Sequence, residues 1–367
     1  MLVALAVIWG YFYCENPLFL SPRNLSNLSM QIVVTGTVAL GMFFVLVIGE
    51  IDLSVAAVGA VSAAISANLA VNMGAETTTA VVAGLALGAC IGFLQGLAVT
   101  VFRAPSFIVT LGTSLALQGA LLQLLPQTSS LISLVGQPLG NIGNTYLPAR
   151  ISVMIVAILV VTLFLLRIQD HLGRRNEGAG SGLLTGVITP VAIASLLGVG
   201  VIVVFDAYRG VPMLVAILLV LLSFFAYITA QTRFGLYLFA IGANAEAARR
   251  AGIYVSTLRI AGFTLTGLFA AIGGMMAAGR VLAVSPDSAD STLLLEAIAA
   301  AVIGGISLFG GRGSVWSALI GALVIGSVSN GMLLINASTS TRLEVQGAIL
   351  TLAVVLDALL SRRALRR

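Results

Sequence analysis

Few side chains in this 367-residue chain could carry out acid–base, nucleophilic or metal chemistry. Charged residues make up 8% of the chain, all 18 basic residues are arginine, and the one histidine is His171; the usual charged share is about 25%. Without lysine the chain can form neither a P-loop nor a lysine Schiff base. A single histidine excludes a multi-histidine metal site and leaves an intramembrane serine hydrolase without a base. Cys14 and Cys90 lie far apart and indicate no disulfide framework.

Two carboxylates separated by one residue occur in the segment GEIDLS, where Glu50 and Asp52 follow Gly49. Ionisable groups at the centre of a membrane cost roughly 2.5–3.5 kcal/mol on insertion scales and therefore indicate function. At the membrane surface they cost little, and Asp52 or Ser54 would then cap the helix that follows. The pattern leaves three interpretations open: a gating turn, a structural turn, or contact with a substrate.

A short charged segment, GANAEAARRAGI at 242–253, lies between two long apolar runs. Asparagine suits an N-cap, an acid is stabilised in the first helical turn and bases in the last, and glycine suits the left-handed C′ position. The residues at those positions are Asn244, Glu246, Arg249, Arg250 and Gly252. The pattern predicts a helix of about two turns, too short to be stable unless something packs on it. The alternative is an ordinary cytoplasmic loop that carries positive-inside charge.

The elements that position these residues are long apolar runs. Hydrophobic residues make up 59% of the chain, and the mean hydropathy is +1.11. Runs of about 20 apolar residues can cross a hydrocarbon core of roughly 30 Å, and most of them lack the polar stripe of a soluble core helix. We therefore predict an all-α, polytopic helical membrane protein with about 10–12 transmembrane helices. The predicted spans are 1–14, 30–48, 53–71, 79–101, 107–126, 150–167, 183–204, 212–230, 260–280, 293–310, 315–335 and 342–360.

The first predicted span is too short to cross by itself. Either residues are missing before it or it begins within the membrane. A cleaved signal peptide is disfavoured because no basic residue precedes the apolar run.

The arginine distribution predicts the orientation of the spans. If the C-terminal SRRALRR is cytoplasmic, thirteen arginines fall inside and five outside, and both termini lie inside. The longest outer segment, 127–149, is rich in Gly, Pro, Ser and Asn and is predicted to be a loop. The chain is predicted to be a single transmembrane domain, with the linker RRNEGAGSG as a seam between halves 1–168 and 183–367. VIGEIDLS and VIGGISLF share five of eight residues, which fits a parallel pseudo-repeat or chance in apolar sequence.

Four motifs occur along the chain: GEIDLSV (49–55), PSFIVTLGT (105–113), TRFGLYLFAIGANAEAARRAGI (232–253) and EAIAAAVIGGISLFGGRGSV (296–315). They resemble, in the same order, those of the ribose/xylose-type sugar ABC permeases in the branched-chain amino acid/sugar permease family. The resemblance covers the chain from about residue 20 to its end. The additional span near 183–204, followed by YRGVP, is similar to the xylose-type branch. The family usually has glycine at the position of Glu50, so the resemblance does not extend to that residue.

The resemblance implies the membrane subunit of an importer for a neutral monosaccharide, such as xylose or a related pentose or hexose. The loop 231–259 would carry a coupling helix, from Gly242 through Ala248 to Gly252, that docks on a separate ATP-binding subunit. That subunit would hold ATP and Mg²⁺, so this chain would bind no cofactor and would not be an enzyme. The other implied partners are an extracytoplasmic sugar-binding protein, a second copy of the permease and the bilayer of a bacterial inner membrane, with no nucleic acid.

Polar groups within the spans are the candidates for the sugar path, because a neutral sugar is bound by amides, hydroxyls and an aromatic face. Gln95, Thr113, Gln118 and Asn330 fall in predicted spans. The alternative for each is an interhelical hydrogen bond, worth roughly 0.6 kcal/mol. The competing function is a secondary transporter driven by protons or sodium. That class normally keeps carboxylates or histidines at mid-membrane, whereas nearly all charge here lies in predicted loops.

Overall fold

The computed structural model describes residues 1–126, 130–176 and 182–365, and α-helices dominate the described chain. Helices are expected of such apolar runs because a helix satisfies all its backbone hydrogen bonds internally. The helices of the described residues are α1 Leu2–Glu15, α2 Pro22–Val47, α3 Val55–Val71, α4 Thr77–Val101, α5 Ser106–Leu124, α6 Pro138–Asn144, α7 Ala149–Asn176, α8 Thr189–Asp206, α9 Met213–Gln231, α10 Arg233–Ala243, α11 Ala245–Arg250, α12 Val255–Val281, α13 Ser291–Gly304, α14 Val315–Leu334 and α15 Thr339–Leu365. A π-helical turn, Leu184–Ile188, leads directly into α8.

A helix lies over each of the twelve predicted spans, and the prediction of an all-α polytopic membrane protein is confirmed. By length and composition, seven helical stretches of the described residues could each cross a membrane: Pro22–Val47, Thr77–Val101, Ser106–Leu124, Leu184–Asp206, Met213–Gln231, Val255–Val281 and Val315–Leu334. The predicted span 293–310 is longer than its helix, because α13 has 14 residues and rises only about 21 Å. Gly305 ends α13 in the left-handed conformation, with φ of 107°.

Helix α2 lies at the centre of the bundle. In an apolar 18-residue stretch of α2, 94% of the residues are buried. In the corresponding stretch of Leu184–Asp206 only 6% are buried, so that helix faces outward. Aromatic rings from three helices pack around the centre, with the Phe44 ring 5.9 Å from that of Phe269 and 5.3 Å from that of Phe225. Helix α12 approaches α3 so closely that a Cβ on Gly274 would overlap the backbone of Gly59. Because this core draws on both predicted halves, the division at 168 and 183 does not separate two packing units.

The helices alternate between two ends of the bundle, which we call the α11 end and the α6 end. At the α11 end, Gly311 N donates to Val47 O at 2.8 Å, and Ile51 N donates to the Ser106 hydroxyl at 3.4 Å. At the α6 end, Leu134 N donates to Leu282 O at 2.8 Å. Helix α12 connects the two ends and, with 27 residues, rises about 40 Å.

The segment 127–149, predicted to be a loop, is largely structured where it is described. It contains α6 and two short strands, β1 Ile132–Ser133 and β2 Tyr146–Leu147. These pair with two strands that flank other helices, β3 Val211–Pro212 with β2 and β4 Ala283–Val284 with β1. The expected lack of regular structure was wrong, because these pairings join residues far apart in sequence, and the outer placement of the segment stays a prediction. Residues 127–129, and residues 177–181 of the predicted seam, lie outside the described residues.

Candidate functional site

The predicted short helix exists as α11, and its two caps are those that the sequence predicts. The Asn244 side chain accepts a hydrogen bond from Ala247 N at 2.9 Å. At the other end, Gly252 N donates to Arg249 O and Ile253 N donates to Ala248 O, both at 3.0 Å, with Gly252 at φ of 84°. This pair of hydrogen bonds is the Schellman motif, which satisfies carbonyls that would otherwise be unpaired. The predicted local structure is therefore confirmed.

Helix α11 has one face directed outward and one directed into the bundle. Glu246 forms ion pairs with Arg249 at 2.8 Å and with Arg250 at 3.3 Å, and all three side chains are more than half exposed. Such exposed pairs contribute about 0–1 kcal/mol each. Ala247 is also exposed, whereas Ala248 is 5% exposed and packs into the main apolar core. Ala248, one of the residues predicted for the coupling helix, thus packs against the chain's own core and holds α11 in place, and its part in docking stays a prediction.

Just before α11 the chain makes close backbone contacts with two other segments. We call this contact the glycine junction, and it is formed by Val47, Gly242, Gly310 and Gly311. A Cβ on Gly242 would overlap both the Val47 carbonyl oxygen and the Gly311 nitrogen. Gly310 and Gly311 adopt positive φ values of 82° and 72°, a conformation that glycine takes without strain. The junction packs the end of α2, the end of α10 and the turn before α14 against one another, directly before α11 begins.

The two carboxylates of GEIDLS lie at the α11 end, in the connection between α2 and α3. Glu50 Oε1 is 3.3 Å from Arg259 Nε, with both side chains mostly buried. Arg259 lies in the second turn of α12, which begins shortly after α11. The ion pair therefore connects the α2–α3 segment to the helix that follows α11.

Asp52 belongs to a buried network rather than to the ion pair. Its Oδ1 accepts hydrogen bonds from Ser54 N at 2.8 Å and from the Ser54 hydroxyl at 2.6 Å, and Gln95 Nε2 donates to the same hydroxyl at 2.7 Å. Asp52 and Ser54 are fully buried, and burial raises the pKa of the Asp52 carboxyl, opposed by its hydrogen bonds from Ser54. Ser54 precedes α3 but makes no side-chain cap hydrogen bond with it; its hydroxyl binds Asp52 instead.

The four polar groups predicted for a sugar path do not converge. Gln95 contacts Ser54 at the α11 end, whereas Asn330 accepts a hydrogen bond from Asn24 at 2.8 Å toward the α6 end. Thr113 donates to Val109 O of its own helix at 2.8 Å. Gln118 is exposed and donates to Ser114 of its own helix at 3.4 Å.

A polar cluster that the sequence analysis missed surrounds Glu296 of α13. Its carboxylate accepts hydrogen bonds from the Thr35 hydroxyl at 3.2 Å, the Ser329 hydroxyl at 3.4 Å and Gln346 Nε2 at 3.0 Å. These donors come from α2, α14 and α15, and all of them are uncharged. One signal was available, because Glu296 falls inside the predicted span 293–310, where carboxylates are rare.

Comparisons with known proteins agree over almost the whole chain. The family model described as the permease component of the branched-chain amino acid transport system matches residues 24–354. The xylose transport system permease protein XylH of Escherichia coli K12 is 37% identical over 365 residues, which cover 99% of this chain and 92% of that protein. XylH of Haemophilus influenzae is 37% identical over 358 residues, 97% of this chain and 95% of its own. The ribose import permease protein RbsC of Bacillus subtilis is 32% identical over 342 residues, 93% of this chain and 87% of its own. No solved structure matches the chain.

Proposed function

This chain belongs to the family of permease components of branched-chain amino acid transport systems, and we propose that it is the membrane subunit of an ATP-driven importer of a neutral monosaccharide. Relatives named as xylose and ribose permeases support a sugar as the transported solute. The higher identity to the xylose permeases, 37% against 32%, favours xylose or a related pentose.

The packing of α11 on the rest of the bundle is the observation that supports an ATP-driven mechanism. The outward face of α11 presents Ala247 between charged residues, and the small side chain leaves room for a partner to approach closely. On the inward side, Ala248 and the glycine junction tie α11 to the ends of α2 and α10. A partner that pushes on α11 would thus displace the central helix of the bundle. This is the arrangement that a coupling helix requires, since the force must reach the transport path through packed elements.

The α2–α3 segment would transmit that movement further. The Glu50–Arg259 ion pair links it to α12, and the Asp52–Ser54–Gln95 network links it to α4. In this proposal, Asp52 and Ser54 act as parts of the gate at the α11 end. They would hold the α2–α3 turn in shape while it moves, and they would not contact the sugar.

The remaining partners follow from the same proposal. The α11 end faces the cytoplasm and meets a separate ATPase subunit, which holds ATP and Mg²⁺. The α6 end faces the extracytoplasmic side and receives the sugar from a binding protein, and two permease copies in a bacterial inner membrane form the complete path. The excess of arginine on the α11 side of the predicted spans supports this orientation.

A second candidate, a secondary transporter driven by an ion gradient, is favoured by one observation. Glu296 is a carboxyl within the helical bundle, and such groups serve as proton or ion sites in gradient-driven carriers. Its position among uncharged donors suits a hydrogen-bonding role equally well.

The test is uptake by proteoliposomes that contain the permease, its ATPase subunit and the sugar-binding protein, with ATP supplied to the ATPase. We expect D-xylose uptake to continue when an uncoupler collapses the ion gradients and to stop when the ATPase is omitted or cannot hydrolyse ATP. Uptake that stops on collapse of the gradient despite ATP would establish the second candidate. Uptake that runs without the ATPase would overturn the first.

A further inference from the structure

A cavity of about 630 Å³ opens at the α6 end, within the size range of roughly 300–1,000 Å³ that is typical of small-molecule sites. Five α-helices and the 3-10 helix Pro286–Ala289 contribute to its walls. Their polar contributions include Thr35 of α2, Arg280 of α12, Glu296 of α13, Ser329 of α14 and Gln346 of α15. We call this the outer cavity. It is separate from the polar groups at the α11 end, because Arg280 lies in the last turn of α12.

The wall of the outer cavity carries a hydrogen-bonding surface that a polyhydroxylated molecule can use. Glu296 accepts from three uncharged groups, and Gln346 Nε2 also donates to the Ser329 hydroxyl at 2.9 Å. A sugar hydroxyl both donates and accepts. It can therefore replace the Ser329 or Thr35 hydroxyl at the carboxylate, and it can accept from the Gln346 amide, without leaving a charge unpaired.

The remaining lining indicates a neutral ligand that is bound weakly. Two arginines, Arg280 and Arg342, line the cavity together with three acidic residues, Asp287, Asp290 and Glu296. The charges of the lining therefore nearly balance, and a strongly charged solute gains little. None of the described lining residues is aromatic, and the stacking face that strengthens sugar binding is missing from this wall. A site that receives a solute and passes it on needs such weak binding, because tight binding would slow release.

We infer that the outer cavity is a low-affinity receiving site for a neutral monosaccharide, in which Glu296 and Gln346 contact the sugar hydroxyls. The inference rests on the proposed function, because the outer cavity would be the first site that the sugar occupies after it leaves the binding protein. It also gives Glu296 a role as a hydrogen-bond acceptor rather than as an ion-coupling group.

Occupancy of the cavity can be measured by protection of a cysteine from labelling. In a transport complex whose permease lacks Cys14 and Cys90, Ala277→Cys places a thiol on the cavity wall. Ala75→Cys is the matched control, because Ala75 is half-buried at the same end but lies outside the cavity lining. The complex, without ATP, is labelled with N-ethylmaleimide in D-xylose or in glycine betaine of equal osmolality.

We expect D-xylose to slow labelling at position 277 in a saturable manner, with half-protection at roughly 1–100 mM, and to leave position 75 unaffected. Adding Glu296→Gln or Gln346→Leu should raise the concentration for half-protection about three- to tenfold, as loss of one hydrogen bond does. A structural role alone would lower stability without moving this concentration.

Equal labelling at position 277 in both solutes, from a complex that still takes up D-xylose, would overturn the receiving site and leave the proposed function intact. Protection at position 277 that both wall substitutions leave unchanged would also overturn the assignment of Glu296 and Gln346. Protection in a complex that shows no ATP-dependent uptake would support the receiving site and overturn the proposed function.

Discussion

Tryptophan introduced at Ala247 and at Ala248 should cause two different defects, although the two residues are neighbours on α11. Ala248 is 5% exposed within the main core, and overpacking such a site costs about 1–3 kcal/mol, or roughly 5- to 150-fold in the ratio of folded to unfolded protein. Ala247 is exposed, so its substitution should change the free energy of unfolding by less than about 0.5 kcal/mol. If Ala247 lies at the centre of the ATPase interface, the loss of docking should reach about 2 kcal/mol or more, roughly 30-fold in Kd.

Two measurements separate these defects. The thermal unfolding midpoint of the purified permease reports the fold, and titration of the permease with its ATPase subunit reports docking. Ala207→Trp is the control of equal bulk, because Ala207 is exposed at the α6 end. We expect Ala247→Trp to keep the midpoint and lose ATPase binding, and Ala248→Trp to lower the midpoint. Normal ATPase affinity and normal uptake with Ala247→Trp would refute the assignment of the outward face of α11 as the docking surface.

Four further predictions address the glycine junction, the ion pair, the buried carboxyl and the orientation. Gly242→Ala should lower the unfolding midpoint and slow uptake, because its Cβ would overlap the end of α2; a variant with wild-type midpoint and uptake would show that the junction is not tight. Glu50→Arg and Arg259→Glu should each impair uptake and, combined, restore part of it, with a coupling energy of about 1 kcal/mol or more for a partly buried pair; zero coupling would remove the pair from the mechanism. Since burial raises the pKa of Asp52 above its ordinary value of 3.8, the folded protein holds that proton more tightly than the unfolded chain, and stability should fall as pH rises from 3.8 through the raised pKa. The Asp52→Asn side chain is neutral at every pH, so this variant should show a smaller decline of the unfolding midpoint as pH rises. A variant whose midpoint depends on pH as that of the wild type does would contradict a raised Asp52 pKa. Asn141 is exposed on α6, so Asn141→Cys should be labelled only from the outer face of right-side-out vesicles, and labelling only from the inner face would reverse the proposed orientation.

The sequence by itself predicted the features that depend on neighbouring residues. Each apolar run became a helix because length and hydropathy act within the run. Helix α11 began directly after its N-cap Asn244 and ended before Gly252, because caps involve residues within one turn of each other. The family could also be identified, because its four motifs are contiguous segments of sequence.

Only the tertiary structure decided which of these residues meet. It turned Ala248 inward and Ala247 outward, and it brought Val47, Gly242 and Gly311 into one junction although they lie in distant parts of the chain. It also surrounded Glu296 with donors from three other helices and ended α13 at Gly304, short of the predicted span. These outcomes depend on the rotation and depth at which each helix packs. Long runs of Ala, Val, Leu and Gly are apolar on every side, so their pattern carries too little information to specify either.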